Sequence, residues 1–236
     1  MKHHLLIIGF FFLSTTSIFA QLGFRIGPSA AYIASKPNTI GTLPNNFNFR
    51  YKSGFSVGAA MYYGFSNKVG VSSGLYINSK GYRIFNDSNR NGDVLKHNQT
   101  YFEIPLNFVY KQRLNNVSFV RENIGVTFCS MLSSSEYENI NKGNNFRINE
   151  SSTNTFYPML NLGIDVGNVA KNGNVFVFSA LFRQGFSNNN NLLSVYNNKT
   201  GTTPLFNLGF KGSYIGISIS YLFNLKNLKK EEEFFY

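Results

Sequence analysis

The sequence has no tryptophan, a single cysteine and, outside its first twenty residues, a single histidine. A lone thiol cannot close an intramolecular disulfide, so Cys129 does not staple the fold, and packing as a small apolar side chain is its expected role. Cys129 and His97 are too few to offer the Cys/His spacing of a zinc site. Acidic residues are scarce as well, with 11 Asp and Glu against 22 Lys and Arg and a net charge of +11. Such an excess can point to nucleic acid, but it equally suits the anionic phosphates of a membrane surface. Beyond residue 20 no apolar run approaches the roughly 20 residues of a membrane-spanning helix. No glycine-rich phosphate-cradling motif is present.

The first twenty residues have the make-up of an export signal. Lys2 provides a positive start, Leu5 to Leu13 form an apolar stretch, and Ala20 is a small residue suited to cleavage before Gln21. No cysteine follows the expected cut, so a lipid anchor is not expected. The predicted organisation is a removed signal over 1–20, one domain over 21–224 and a charged tail over 225–236. Export removes nucleic acid from the expected partners.

The whole sequence is rich in Phe (25), Tyr (14) and Gly (21). Its dominant pattern is alternation with a period of two, which marks strands with two unlike faces. From Gly54 to Phe65, one face carries Phe55, Val57, Ala59, Met61, Tyr63 and Phe65, and the other carries Gly54, Ser56, Gly58, Ala60, Tyr62 and Gly64. Val69 to Asn78, Tyr101 to Tyr110 and Ile215 to Phe223 repeat it. Further runs lie at about 22–35, 117–132, 155–167 and 174–187. In the run from Val117, Arg121, Glu122 and Asn123 interrupt the apolar face, so a bulge or a strand start is expected there. Pro105 lacks a ladder donor and is expected to sit at a local bulge.

The connections alternate strictly. Ser66 to Lys68, Gln112 to Asn116 and Asn168 to Gly173 are short. Lys36 to Arg50, Asn86 to Gln99, Ser133 to Asn154 and Asn188 to Pro204 are long. This pattern predicts an all-β fold: a closed antiparallel up-and-down transmembrane β-barrel of about eight strands, with short periplasmic turns, long extracellular loops and both termini periplasmic. The apolar face would meet outer-membrane lipid. Aromatic rims are expected at Phe24, Tyr63, Tyr110, Tyr221 and Phe223 on the turn side, and at Tyr32, Phe102, Phe156 and Phe186 on the loop side. A soluble lipocalin-type barrel, with the apolar face turned inward, is the alternative.

Arg25, Glu103, Asp165 and Arg183 fall on the less apolar face. They are expected to form a charged network inside a barrel too narrow to hold much else, or, as the alternative, an ion path. Asp87, Asn89 and Asn91, followed by Gly92 and then Asp93, sit in the spacing of the front half of a calcium loop. The twelfth position, which should be Glu, is Asn98. A polar turn-rich loop explains the same residues. His97 could serve an outer-membrane hydrolase as a base, although no positioned nucleophile is evident from the spacing. Leu192, Leu193, Val195 and Tyr196 lie in an Asn-rich loop, as a binding surface or as a cover for the barrel mouth.

Tyr101-Phe102-Glu103-Ile104-Pro105-Leu106 resembles the Tyr-x-Glu-Ile-Pro strand of the PorT-like outer-membrane β-barrel proteins of Bacteroidetes. Gly54 to Tyr82, with Lys80-Gly81, resembles the preceding hairpin of that family, and Arg183 with Gly185-Phe186 is similar to its penultimate strand. The resemblance implies an outer-membrane barrel, and it implies as one role an accessory part in type IX secretion or gliding. Ile217, Ile219, Tyr221 and Phe223 resemble the signal read by the barrel-assembly machinery, here followed by a tail. The expected function is a non-enzymatic barrel that is structural or that binds a ligand or an envelope partner through its loops. No cofactor is expected.

Overall fold

The computed structural model describes residues 24–35, 38–39, 47–86, 93–138, 146–151, 156–186, 192–197, 206–209 and 211–225. They form twelve strands. These are β1 (Arg25–Ser35), β2 (Asn38–Thr39), β3 (Phe47–Gly64), β4 (Val69–Asn86), β5 (Asp93–Arg113), β6 (Ser118–Glu138), β7 (Phe146–Ser151), β8 (Phe156–Val169), β9 (Val175–Gly185), β10 (Leu192–Asn197), β11 (Phe206–Gly209) and β12 (Tyr214–Asn224). Eight of them close into one antiparallel up-and-down barrel in the order β1-β12-β9-β8-β6-β5-β4-β3. Closure pairs β1 with both β12 and β3, so the wall has no open edge, as lipid requires.

The alternation fixes which way each strand faces. Phe55, Val57, Leu75, Ile77, Leu106, Phe108, Ile217 and Ile219 are exposed on the outside, while Ser56, Tyr62, Glu103, Asn107, Ser218 and Ser220 are buried within. The apolar face therefore points outward, and the lipocalin-type alternative falls. Tyr63–Phe65 and Tyr221–Phe223 make edge-to-face pairs with centroids 5.1 Å apart at the turn end. Phe128 and Phe156 stack at 5.8 Å towards the loop end.

Three tight turns join strands at one end. Ser66 Oγ accepts from the Lys68 and Val69 amides at 3.2 and 3.0 Å, and Asn115 Oδ1 accepts from Val117 and Ser118 at 2.9 and 2.7 Å. The third turn needs Gly173, whose φ is +80°.

At the other end the structure departs from the expected boundaries. Strands β3 and β4 run 18 residues and β5 and β6 run 21, whereas β1, β9 and β12 have 11. About 9–11 tilted residues cross a bilayer core. Strands β5 and β6 thus overshoot the membrane core by roughly 25 Å, and β3 and β4 by roughly 18 Å. The long connections are correspondingly shorter than read: Phe47–Arg50 belongs to β3, Asp93–Gln99 to β5 and Ser133–Glu138 to β6. Above the lipid both faces of a strand meet water, so the alternation fades, as in Ser133–Glu138, although Phe47, Phe49 and Tyr51 still alternate with Asn48 and Arg50. The loops also carry strands of their own. β2, β11, β10 and β7 pair in that order into a second, four-stranded sheet.

Both bulge expectations are corrected. Pairing through Arg121, Glu122 and Asn123 is continuous with β5 and β8, and β6 simply begins nearby at Ser118. At Pro105 the β4–β5 ladder skips from Ser73–Leu106 to Tyr76–Glu103 without a change of register. The missing donor costs one rung locally, and Ser73 Oγ donates to the Pro105 carbonyl at 2.8 Å. Register does shift at Tyr51/Phe55, Ile84/Phe85 and Thr100/Tyr101, all towards the loop end.

Candidate functional site

Inward-facing side chains fill the lumen in three layers. The layer nearest the loops centres on Glu103. Its carboxylate is fully buried and ion-paired with both Lys80 and Arg183. Tyr214 Oη donates to Glu103 Oε2 at 2.7 Å, and the Cys129 thiol donates to Oε1 at 3.5 Å. The Lys80 ammonium also donates to the Gly212 carbonyl at 3.3 Å and lies 4.4 and 4.5 Å from the Tyr101 and Tyr214 ring centres. Gly212 has φ +69°, and a Cβ there would stand 2.3 Å from the Tyr157 hydroxyl. Glycine thus lets the segment entering β12 cross tightly against the cluster. The layer fills the loop side of the lumen with buried side chains.

Below it lies a chamber of about 100 Å³ with walls of serine and asparagine. Ser220 Oγ donates to Ser29 Oγ at 2.8 Å, Asn161 to Asn107 at 2.6 Å and Asn107 to Ser72 at 3.1 Å. Small hydroxyl residues leave this space because neighbouring bulky side chains occupy the charged layers. Its size and polarity suit water or a small polar solute.

The third layer, at the turn end, is cationic. Arg121 holds Asp165 through Nε at 3.0 Å and Nη2 at 2.8 Å. Its guanidinium lies 4.9 Å from the Tyr62 ring centre and 5.2 Å from that of Phe119. Arg25, Lys111 and Tyr62 share this end of the lumen with it.

Arg25, Glu103, Asp165 and Arg183 all line the lumen, but they do not form one network. Glu103 and Arg183 meet in the loop-side layer, Asp165 pairs with Arg121 in the turn-side layer, and Arg25 has no carboxylate partner among the described residues. Lys80, Arg121 and Tyr214 were not picked out as members. The parity that selected Glu103 selects them too, because Lys80 continues the inward face of Ser72, Tyr76 and Asn78.

Asp87, Asn89 and Asn91 lie outside the described residues, and Asp93 opens β5 opposite Phe85. His97 is in a strand rather than a loop, with Tyr82 and Glu136 as its ladder neighbours. The reason is the overshoot of β5, which carries polar residues out of the lipid as strand. Leu192, Leu193, Val195 and Tyr196 lie in β10, paired with β7 and β11. Ile217 and Ile219 are exposed on the outer face, with Tyr221 and Phe223 following at the same parity.

The family described as outer membrane protein beta-barrel domain matches residues 14–191. The chain belongs to this family. Its place is therefore the outer membrane. No curated protein matches this outer-membrane barrel in sequence. Among solved structures it is similar to the outer membrane protein OprG from Pseudomonas aeruginosa, at 13% identity and TM-score 0.58, covering 86% of this chain and 96% of that one. Ail of Yersinia pestis (14% identity, TM-score 0.40, 86% and 99% covered) and AlkL (11%, 0.41, 86% and 90%) are more distant in shape. At these identities the likeness to OprG speaks for the fold alone.

Proposed function

We propose that this outer-membrane barrel is a non-enzymatic anchor that holds a platform of paired loop strands at the cell surface, where a ligand or a partner protein binds. Residues 1–20 would direct export, and the short turns and both termini would face the periplasm. The observation that carries this reading is the second sheet. Four segments from three separate long connections pair with one another instead of remaining independent loops. A paired platform of this kind loses little conformational freedom on binding, which favours recognition. The buried Glu103 layer packs into the lumen beneath, which favours a barrel plugged by its own side chains over a passage.

The test compares the wild-type chain with one in which 192–209 is replaced by a short turn, each carrying a proximity-labelling enzyme on intact cells. A set of labelled surface neighbours that disappears with the platform supports the reading, and identical sets would overturn it. Planar-bilayer recordings of the purified barrel should show no stable conducting steps. Persistent openings would favour a pore instead.

The resemblance of Tyr101 to Leu106 supports a second reading, an accessory part in type IX secretion. Deletion of the gene should then abolish that secretion, whereas under the first reading secretion stays intact.

A further inference from the structure

We infer that the turn-side mouth of the lumen is a binding site for a phosphoryl group, the dianionic end of a small solute that reaches the barrel from that side. The inference rests on the barrel assignment but not on the loop platform, and the two fail separately.

Three cations converge there. Arg25 opens β1 and faces inward opposite Tyr62, while Lys111 and Arg121 face inward from the neighbouring strands β5 and β6. Arg25, Lys111, Arg121 and Tyr62 line one small void together with Phe119. Arg25 and Lys111 each stand within electrostatic range of Arg121. Among the described residues the carboxylate paired in this layer is Asp165, which Arg121 holds from the chamber side and which does not line the void. Set against that single carboxylate, the three cations leave two positive charges without a partner among the described residues. Like charges crowded into a narrow lumen repel one another, and an anion of matching charge relieves this.

A second observation concerns a neutral group. Tyr62 is 4% exposed, yet its hydroxyl has no hydrogen-bond partner among the described residues, and neither does Nε of Arg25. Buried polar groups are nearly always paired, and an orphan beside a void marks a place where a partner fits. The Tyr62 ring cannot swing away freely. Arg121 stacks on it at 4.9 Å, and its hydroxyl reaches towards Gly70, where a Cβ would stand 2.7 Å away. The void measures about 20 Å³, and a space of roughly 10–15 Å³ holds one water-sized atom. It therefore admits one or two oxygens of the ligand, and the rest stays in the mouth near Lys111. Two guanidiniums and an ammonium supply donors only, and the phenol adds one more O–H donor, which suits a fully ionised phosphoryl group.

The test is titration of the purified full-length barrel in detergent with inorganic phosphate at constant ionic strength, followed by calorimetry and by phosphorus NMR. Saturable binding at one site is expected. Arg25→Gln and Lys111→Gln should each weaken it by about tenfold or more. Tyr62→Phe, which keeps the ring, should weaken it less, Arg25→Lys should restore part of the affinity, and Lys171→Gln on the exposed turn after β8 should leave it unchanged. The heat-dependent shift in gel mobility of folded barrels confirms that each variant has folded. Comparison with glycerol 3-phosphate separates the sources: equal binding assigns the site to the phosphoryl end of a larger solute, and binding of inorganic phosphate alone assigns it to the free ion. Absence of saturation, wild-type affinity in both Arg25→Gln and Lys111→Gln, or acetate binding as tightly as phosphate would overturn the inference.

Discussion

Glu103 shows what a single residue does in this lumen. It has no exposed surface and serves two cations from opposite sides of the barrel, one on β4 and one on β9. Buried ion pairs contribute little net stability when intact, because desolvation offsets their attraction. Losing one partner is different, since it leaves uncompensated charge where water cannot reach. Glu103→Gln strands Lys80 and Arg183 together and should destabilise the folded barrel by about 3–5 kcal/mol. Equilibrium unfolding in urea from lipid vesicles measures this, and a loss near zero would show that the loop-side layer does not hold the strands.

At the level of strands, parity decides function. On β12, Ile217 meets lipid while Ser218, its neighbour in sequence, is buried in the lumen. Ile217→Arg should cost roughly 2–4 kcal/mol if the position lies near the bilayer midplane. The same cost is expected for Val57→Arg on β3, whose side chain is also outward. Folding efficiency into vesicles, followed by the gel-mobility shift, reads both. Normal insertion of both variants would contradict the assignment of faces. Parity was legible in the sequence because lipid and lumen impose opposite chemistry on successive residues. Parity loses its signal where that contrast ends, as at Ser133–Glu138, whereas Phe47–Arg50 is strand and still alternates. It also led to a suspected bulge at Arg121, where an unbroken strand carries its charge inward.

For the whole molecule the unequal strand lengths set the shape. Four long strands raise one half of the wall above the bilayer, and the loop segments form their own sheet. The absence of native tryptophan makes this directly measurable. A single tryptophan introduced as Ile217→Trp should be strongly quenched by lipids brominated near the middle of their chains. One introduced as Arg50→Trp, on the long part of β3, should not be. Equal quenching at both sites would mean that the long strands tilt within the membrane rather than rise from it.

Two properties followed from the sequence alone: the two faces of each strand and the strict alternation of short and long connections. Both are local, since a period of two and the turn chemistry of Ser66, Asn115 and Gly173 act over a few residues. The identity of Glu103, Arg183, Arg25 and Asp165 as inward charges came with that parity. Which charge meets which did not. Arg183 reaches Glu103 across 80 residues of sequence, and Arg121 reaches Asp165 across 44. Such pairings depend on barrel closure and on the stagger between strands, which no local pattern encodes. The loop-strand sheet and the gathering of Arg25, Lys111 and Arg121 at the turn-side mouth were decided at the same level, because each exists only once distant segments have been brought together.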